Sequence, residues 1–287
     1  MAEAVEKPLP EITHVAASAE IDDVVAVLRR DGAVIVEDML PEQVFQELLA
    51  DMRVLLDTGS HVGTVGKLGE HTRLCGNLMT KLPHTADLLT HPTLLGVSER
   101  ILVTDQPYVF WNNQVERRLY AKLQLSIAHA IEILPGERAQ PLHRDDAVHH
   151  RPHPGPETQV LLIYACADFT EDNGATHVVL GSHLWDPRRG PRPEESVQAR
   201  MKRNSGLIYL SSVFHGGGAN RTQHDLRTSI RMSLIPGHLR QEENQYLSVP
   251  VEVLKRYPLR VQELLGYVVS PPACGVLEGG YRRYVEG

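Results

Sequence analysis

The first part of the chain repeats apolar residues at helical spacing. The run from Ile21 to Leu28 predicts a first helix, with Ser18 as its candidate N-cap and Gly32 at its end. The next apolar stretch, GAVIVED, has the length and the β-branched content of a short strand.

Two further helices are predicted before the pattern changes. Pro41 stands at the expected first position of a second helix, which continues toward Gly59. A third apolar helix is predicted from Thr93 to Leu102. The glycine-rich stretch 59–72 between them is predicted to be a mobile loop.

After Tyr108 the chain turns to short β-rich runs that Gly, Pro, Asn and Asp interrupt. The clearest runs are LQLSIAHAIEILPG, TQVLLIYACADF, ATHVVLGSH, SGLIYLSSVFHGG and TSIRMSLIPG. Successive strands without helices between them favour a sandwich or barrel over βαβ units. The polar segment RGPRPEES, residues 189–196, is expected outside this barrel, and VEVLKRYPLRVQELLGY predicts a helical end interrupted at Pro258.

Composition narrows the classes of protein. The 287 residues, 42% of them hydrophobic, suffice for one large domain, and we expect a single domain over 1–287. A net charge of -7 without a basic run argues against a nucleic-acid partner. The chain has no secretory signal and no apolar run near the roughly 20 residues that span a bilayer, so we expect a cytoplasmic protein without membrane insertion. Cys75, Cys166 and Cys274 form no paired motif and are expected to be reduced thiols.

A metal-ligand pattern occurs in QPLHRDDAVHH. His143 and Asp145 lie two residues apart, and on a strand they would point to the same face and hold one ion together. His215, at the end of an apolar run and before three glycines, is the candidate third ligand. Two histidines and one carboxylate form the facial triad of non-haem Fe(II) oxygenases, which leaves three coordination positions open. The alternative is that Asp145 merely caps a turn.

An arginine that could bind the carboxylate of a co-substrate follows the candidate triad in the sequence. Arg227 lies twelve residues after His215 and opens the strand RTSIRMSL. A turn of that length would return the chain to the neighbouring strand, facing the same cavity. A guanidinium there would bind the distal carboxylate of a 2-oxo acid, because arginine grips carboxylates through two hydrogen bonds.

These motifs together resemble the phytanoyl-CoA dioxygenase family of Fe(II)/2-oxoglutarate-dependent oxygenases. The segments that carry the resemblance are LRRDGAVIVEDML, PGERAQPLHRDD, EDNGATHVVLGSH, FHGGGANRT and LRQEENQYL. The resemblance is strongest to the branch that tailors natural products, including those of fungal meroterpenoid pathways. It implies a mainly β fold with flanking helices, around a double-stranded β-helix (a cupin-like jelly-roll). It places a mostly helical part at 1–105, the jelly-roll core at 106–240 and a lid or dimer tail at 241–287.

The resemblance also implies roles for individual residues. His143, Asp145 and His215 would bind Fe(II), and Arg227 would bind 2-oxoglutarate, with O2 as the second co-substrate. Gln140 and Thr176 match positions that contact the co-substrate, although ordinary strand-end and turn hydrogen bonds are the alternative for each.

A second arginine and the substrate side are less sharply defined. Arg231 is a competitor for the carboxylate-binding role of Arg227. Candidate pocket walls are the segment HTRLCGNLMTKL, the loop from His149 to Glu157, and Ser233.

The expected reaction is the oxidation of an unactivated C–H bond of a small, lipophilic natural product of the terpenoid, alkaloid or polyketide class. It would proceed by hydroxylation, desaturation or rearrangement, with release of succinate and CO2. The alternatives are a metal-dependent epimerase, a zinc hydrolase that would not need Arg227, and a cupin-like module that binds metal without catalysis. A homodimer is also expected.

Overall fold

This computed structural model describes residues 10–59, 61–62 and 69–276. Helices form most of the N-terminal part and return near the C-terminal end. They are α1 Ile21–Asp31, α2 Glu42–Gly59, α3 Leu78–Lys81, α4 Thr85–Leu89, α5 Pro92–Ser98, α6 Gln245–Ser248, α7 Val251–Leu254 and α8 Leu259–Leu264.

Helix α1 is confirmed, with one difference at its start. Glu20, not Ser18, is the N-cap residue, because the chain makes a turn at Ala16–Ala19 before the helix begins. Gly32 ends the helix as predicted: it adopts φ 80° and donates its N–H to the Leu28 carbonyl. That left-handed conformation has little steric cost only for glycine.

The other predicted helices are also present. The carbonyl of Pro41 accepts from the N–H of Phe45, so the proline lies one position before the assigned start of α2. Helix α5 continues directly into a π-helical turn, Glu99–Thr104, which extends the third predicted helix by two residues. The C-terminal helical segment is interrupted at Pro258, which lies between α7 and α8.

Strands supply the rest of the regular structure. In chain order they are β1 His14–Ala16, β2 Ala33–Glu37, β3 His61–Val62, β4 Thr72–Cys75, β5 Tyr108–Asn112, β6 Val115–Leu119, β7 Leu123–Ile133, β8 Val160–Ala165, β9 His177–Val178, β10 Val197–Gln198, β11 Gly206–Leu210, β12 His215–Gly216 and β13 Arg227–Pro236. An eight-stranded sheet has the order β1-β2-β11-β8-β13-β7-β4-β3. A three-stranded sheet has the order β10-β9-β12, and β5 and β6 form a separate hairpin.

The large sheet separates two environments. Side chains alternate between its faces, so Ala128, Ala130 and Glu132 of β7 point to one side while His129 and Ile131 point to the other. The first side packs against α2, α3 and α5 and forms the apolar core. The second side lines a cavity that the small sheet closes from across. Strands β1 to β4 of the N-terminal part extend this sheet beyond residues 106–240.

The remaining predicted segments have different outcomes. Residues 189–196 form an excursion with a short 3-10 turn at Pro193–Glu195, exposed on the surface as expected. In the stretch 59–72, predicted to be a mobile loop, residues 60 and 63–68 lie outside the described residues, while His61–Val62 forms β3 and Thr72 opens β4. The C-terminal segment packs against the rest of the chain through its helices, because Leu254 and Leu264 are fully buried and α8 contacts β7.

Candidate metal centre

The two predicted histidine ligands lie side by side at one edge of the cavity. His143 and His215 form an antiparallel backbone bridge, with both N–H···O distances at 2.9 Å. His215 opens β12 in the small sheet, so the prediction that it ends a strand of the preceding apolar run is wrong. That strand, β11, ends at Leu210, and the chain turns between the two sheets before it reaches His215.

Asp145 reaches the same point from a turn and not from a strand. Its backbone has φ −91° and ψ −16°, and its N–H bonds to the carbonyl of Ser211 at 2.9 Å. The strand argument for the His-x-Asp pair is therefore wrong in its geometry. The two side chains still converge, because the bridge at His143 and the turn at Asp145 are both tied to the segment that carries His215.

The three side chains form a group that fits one metal ion. Their candidate ligand atoms all lie within 4.8 Å of one another. Asp145 Oδ1 is 3.7 Å from His143 Nε2, and Asp145 Oδ2 is 3.4 Å from His215 Nε2. Two imidazole nitrogens and a carboxylate oxygen are the donor set that suits non-haem Fe(II).

Backbone contacts fix which nitrogen of each histidine faces the ion. His143 Nδ1 lies 2.8 Å from the Pro141 carbonyl, and His215 Nδ1 lies 3.1 Å from the Val213 carbonyl. A carbonyl only accepts, so Nδ1 carries the proton in both rings. The lone pairs of the two Nε2 atoms are thus directed at the candidate metal position.

Asp145 is held as an anion. Burial alone would raise its pKa, but the charge of Arg231, whose NH2 group donates to Oδ2 at 2.9 Å, holds that pKa well below its usual range. The carboxylate is therefore charged and ready to bind a cation across the physiological pH range.

Arg227 is a buried cation of a different kind. It opens β13 as predicted, is 4% exposed, and its guanidinium stacks on Phe169 at 4.3 Å. Its NH2 group donates to Thr176 Oγ1 at 3.2 Å, but its Nε has no partner among the described residues. Burial lowers the pKa of Arg227 to about 10. A buried guanidinium with an unsatisfied donor, facing a cavity, fits the distal carboxylate of 2-oxoglutarate.

Gln140 and Thr176 both border the same cavity. Gln140 Oε1 accepts from the N–H of Gly217 at 2.8 Å, and its own N–H bonds to the Gly217 carbonyl. The glycines after His215 allow close backbone approach here, since a Cβ at Gly218 would lie 2.5 Å from the Ala175 carbonyl oxygen. These contacts bring the segment with Thr176 next to Arg227.

The cavity that joins these groups has a volume of about 380 Å³. Its apolar wall comes mainly from alternate residues of β7 and from neighbouring elements: Leu74, Ile127, Ile131, Ile133, Val148 and Ile163. Of the predicted wall segments, HTRLCGNLMTKL contributes Thr72 and Leu74. Ser233 is not among the described lining residues, and the loop 149–157 begins just beyond the lining residue Val148.

Arg231 was considered only as a competitor of Arg227, and its contact with Asp145 was not predicted. Both arginines line the cavity together with Ser229, because positions 227, 229 and 231 share one face of β13. Because residues separated by an even number of positions on a strand point to the same face, the spacing of Arg227 and Arg231 indicates that both point into the same cavity. Which of the two arginines pairs with Asp145, and which one is left for the carboxylate of a co-substrate, depends on the fold.

Comparisons with known proteins identify the family of the chain. The profile of the phytanoyl-CoA dioxygenase (PhyH) family matches residues 28–229. The dioxygenase olcK of Penicillium canescens is 30% identical over 271 residues, which cover 90% of this chain and 84% of that protein. The dioxygenase swnH2 of Arthroderma benhamiae is 33% identical over 272 residues, with 91% and 85% covered.

Among solved structures, the non-haem α-ketoglutarate-dependent epimerase SnoN from nogalamycin biosynthesis superposes with a TM-score of 0.58 at 21% identity, covering 76% of this chain and 81% of that one. The carbocyclase SnoK from the same biosynthesis gives 0.58 at 17% identity, covering 78% and 87%. These likenesses show a shared fold. No helix among the described residues is both long and apolar enough to cross a membrane. From its profile match and its relatives, the chain belongs to the phytanoyl-CoA dioxygenase family of Fe(II)/2-oxoglutarate-dependent oxygenases.

Proposed function

We propose that this protein oxidises an unactivated C–H bond of a small, lipophilic natural product and converts 2-oxoglutarate to succinate and CO2. The observation that carries the proposal is the presence, in one cavity, of a His-Asp-His group and a buried arginine with an unsatisfied donor. The first fits a metal, and the second fits the carboxylate of a co-substrate.

In this proposal His143, Asp145 and His215 hold Fe(II), while Arg227 and Thr176 bind the distal carboxylate of 2-oxoglutarate. Gln140 fixes the position of Gly217 behind them. When bound, iron and 2-oxoglutarate together activate O2 and supply the oxidising power for the reaction. We also infer that the large and small sheets are the two halves of a double-stranded β-helix.

The chain itself contributes orientation, charge and exclusion of water. The Nδ1 contacts of His143 and His215 hold the two rings in the orientation that directs Nε2 of each toward the metal position. Arg227 fixes one end of the co-substrate and thus the direction from which its other end approaches the triad. The isoleucine wall of the cavity excludes water around the reacting carbon.

The apolar wall favours a lipophilic substrate of the terpenoid, alkaloid or polyketide class. Hydroxylation, desaturation and rearrangement are the outcomes that we propose. The solved neighbours include an epimerase and a carbocyclase, so this fold supports more than one outcome. Product analysis by mass spectrometry, with and without 18O2, would separate oxygen insertion from the others.

Arg227 also separates this reading from a zinc hydrolase or a non-catalytic metal-binding module. Neither of those requires a buried arginine without an acidic partner, whose burial carries a free-energy cost. A metal-dependent epimerase would keep both the triad and Arg227, and only its product would distinguish it.

We propose in addition a homodimer formed through the β5–β6 hairpin. Tyr108 and Trp111 are 66% and 69% exposed, and the outer edge of β5 pairs with no described strand. A two-stranded hairpin is marginally stable in water. In a dimer, β5 would pair antiparallel with β5 of a second copy, with the two-fold axis at Phe110. Val109 of each copy would then lie opposite the partner's Trp111, and the two hairpins would form one four-stranded sheet.

The cellular location that we propose is cytoplasmic. Cys75, Cys166 and Cys274 are not joined in disulfides among the described residues, which suits a reducing compartment. Fractionation of cells that carry the tagged protein would test this.

The test of the main proposal is an anaerobic titration. Metal-free protein receives Fe(II) and then 2-oxoglutarate while the visible spectrum is recorded. We expect a weak charge-transfer band at roughly 500–530 nm, as for a chelated 2-oxo acid on an iron site with open positions. Arg227→Ala should weaken 2-oxoglutarate binding while iron still binds. Tight zinc binding without such a band, and without succinate formation in air, would contradict the proposal.

A further inference from the structure

Arg231 is a cavity-facing cation that the proposed reaction does not yet use. It lies in β13 four residues after Arg227, and its side chain is only 13% exposed. Its NH2 group donates to Asp145 Oδ2 at 2.9 Å. Arg231 therefore touches the carboxylate of the candidate triad directly, at the oxygen that lies 3.4 Å from His215 Nε2.

The neighbours of Arg231 keep it in this position. Its strand partners are His129 on β7 and Ile163 on β8, and both of these side chains also line the cavity. Glu242 and Tyr209 act on the guanidinium electrostatically, but its ion pair within 4 Å among the described residues is the one with Asp145. A buried arginine in this environment is positioned for one carboxylate oxygen.

The two oxygens of Asp145 thus differ. Oδ2 accepts a hydrogen bond from Arg231 and also lies 3.4 Å from His215 Nε2, whereas Oδ1 lies 3.7 Å from His143 Nε2, beyond hydrogen-bond distance. A free carboxylate binds a metal through one oxygen or through both. The guanidinium contact makes the two oxygens inequivalent before any metal binds.

We propose that Arg231 is a positioning residue that keeps Asp145 a one-oxygen ligand. This inference rests on the proposed function, because a 2-oxo acid takes two open positions of the metal and O2 takes the third. A carboxylate bound through both oxygens would occupy one of those three. By holding Oδ2, Arg231 preserves the position that the co-substrate or O2 needs.

The geometry also predicts that lysine replaces arginine poorly. A guanidinium is planar and holds its donors in a fixed fork, while an ammonium is a point charge on a flexible stem. Arg231→Lys should therefore keep the charge but restore the orientation of Asp145 only in part. Arg231→Met removes both the charge and the donor.

The experiment compares Arg231→Met and Arg231→Lys with wild-type protein in two separate anaerobic measurements. The first is the Fe(II) dissociation constant without co-substrate, and the second is the 2-oxoglutarate dissociation constant from the charge-transfer band. Arg53→Lys is the matched control, because Arg53 pairs with the buried Glu132 on the opposite face of the sheet. Thermal melts of all metal-free variants establish that they are folded.

We expect Arg231→Met to weaken 2-oxoglutarate binding on the order of 10–100-fold, as for other partners that orient metal ligands. Fe(II) binding should change much less, because Asp145 can then bind through both oxygens. Arg231→Lys should bind 2-oxoglutarate with an affinity between those of wild type and Arg231→Met. Arg53→Lys should leave both dissociation constants unchanged. Equal losses of iron and 2-oxoglutarate, or no loss of either, would overturn the inference.

If Arg231→Met does not fold, the comparison of Arg231→Lys with Arg53→Lys decides the same question. An unchanged ratio of the two constants in Arg231→Lys would then count against the inference. Failure of the proposed function looks different, because wild-type protein itself would show no band with Fe(II) and 2-oxoglutarate.

Discussion

Two buried carboxylates near strands β7 and β13 have opposite surroundings. Glu132 lies on the helix-facing side of the sheet, where Arg53, Arg73 and Thr228 donate to its two oxygens at 2.6 to 2.9 Å. Asp145 lies on the cavity side, where Arg231 donates to its Oδ2. The Nε2 atoms of His143 and His215 lie 3.7 Å and 3.4 Å from its two oxygens. The first carboxylate is satisfied by the protein, whereas the second is completed only by a cation.

Glu157 gives a third case. Its side chain accepts from Ser212, its Oε2 has no partner among the described residues, and none of the described arginines forms an ion pair with it within 4 Å. Burial raises the pKa of Glu157 to about 7. Burial alone thus does not identify a metal ligand, and what distinguishes Asp145 is the pair of histidine nitrogens directed at it.

The largest expected effect comes from the carboxylate on the cavity side. Asp145→Asn removes the anionic ligand and should abolish both the charge-transfer band and succinate formation, because Fe(II) then lacks its one charged protein donor. Thermal melts of the metal-free variant establish that it is folded, because Asp145→Asn also leaves Arg231 without its ion-pair partner. Anaerobic spectra and thermal melts check this, and an Asn variant with wild-type turnover would contradict the assignment.

The carboxylate on the helix side should show the reverse pattern. Glu132→Gln leaves Arg53 and Arg73 without their buried partner and should cost about 3 kcal/mol of unfolding free energy. The low end of the usual range applies, because both arginines are partly exposed and also lie near Asp57. Urea unfolding measures the loss. Folded protein should keep its 2-oxoglutarate affinity, and a selective loss of that affinity would contradict the structural role.

Glu157 should make the stability of the folded protein depend on pH. Its folded-state pKa lies above that of an ordinary carboxyl, so its contribution to stability is fully present at low pH and is lost as the pH rises toward about 7. Glu157→Gln should therefore be more stable than wild type at pH 8, with the difference shrinking at pH 5. Thermal melts at both values test this. An equal difference at the two pH values would show that Glu157 is not buried as described.

The smallest effect on catalysis is expected far from all three carboxylates. Trp111→Glu places a charge at the exposed edge strand and should convert the proposed dimer to monomer in sedimentation velocity, without changing 2-oxoglutarate binding. Val54→Glu is the matched control, since Val54 is 64% exposed on α2, away from the hairpin. A monomeric wild-type protein would contradict the proposed dimer.

Much of this arrangement could be predicted from residue pattern. The central strands read as apolar runs, because both of their faces are buried. His143, Asp145, His215 and Arg227 were identified as candidates from their type and spacing, and the structure brings all four to one cavity.

Other features depend on contacts between distant segments. The His-x-Asp pair converges through a turn tied to Ser211, which no local period encodes. The hydrogen bond between Arg231 and Asp145 and the hydrogen bond between Arg53 and Glu132 each join residues that are far apart in the chain. The β5–β6 hairpin was missed because its apolar residues are exposed on both faces and thus lack the alternation that marks a half-buried strand.

The most direct measurement is a crystal structure of the protein grown under argon with Fe(II) and 2-oxoglutarate. The geometry predicts iron bound to Nε2 of His143, Nε2 of His215 and one oxygen of Asp145, with the distal carboxylate of 2-oxoglutarate against Arg227. Iron bound elsewhere, or a co-substrate carboxylate away from Arg227, would contradict the assignment of this site.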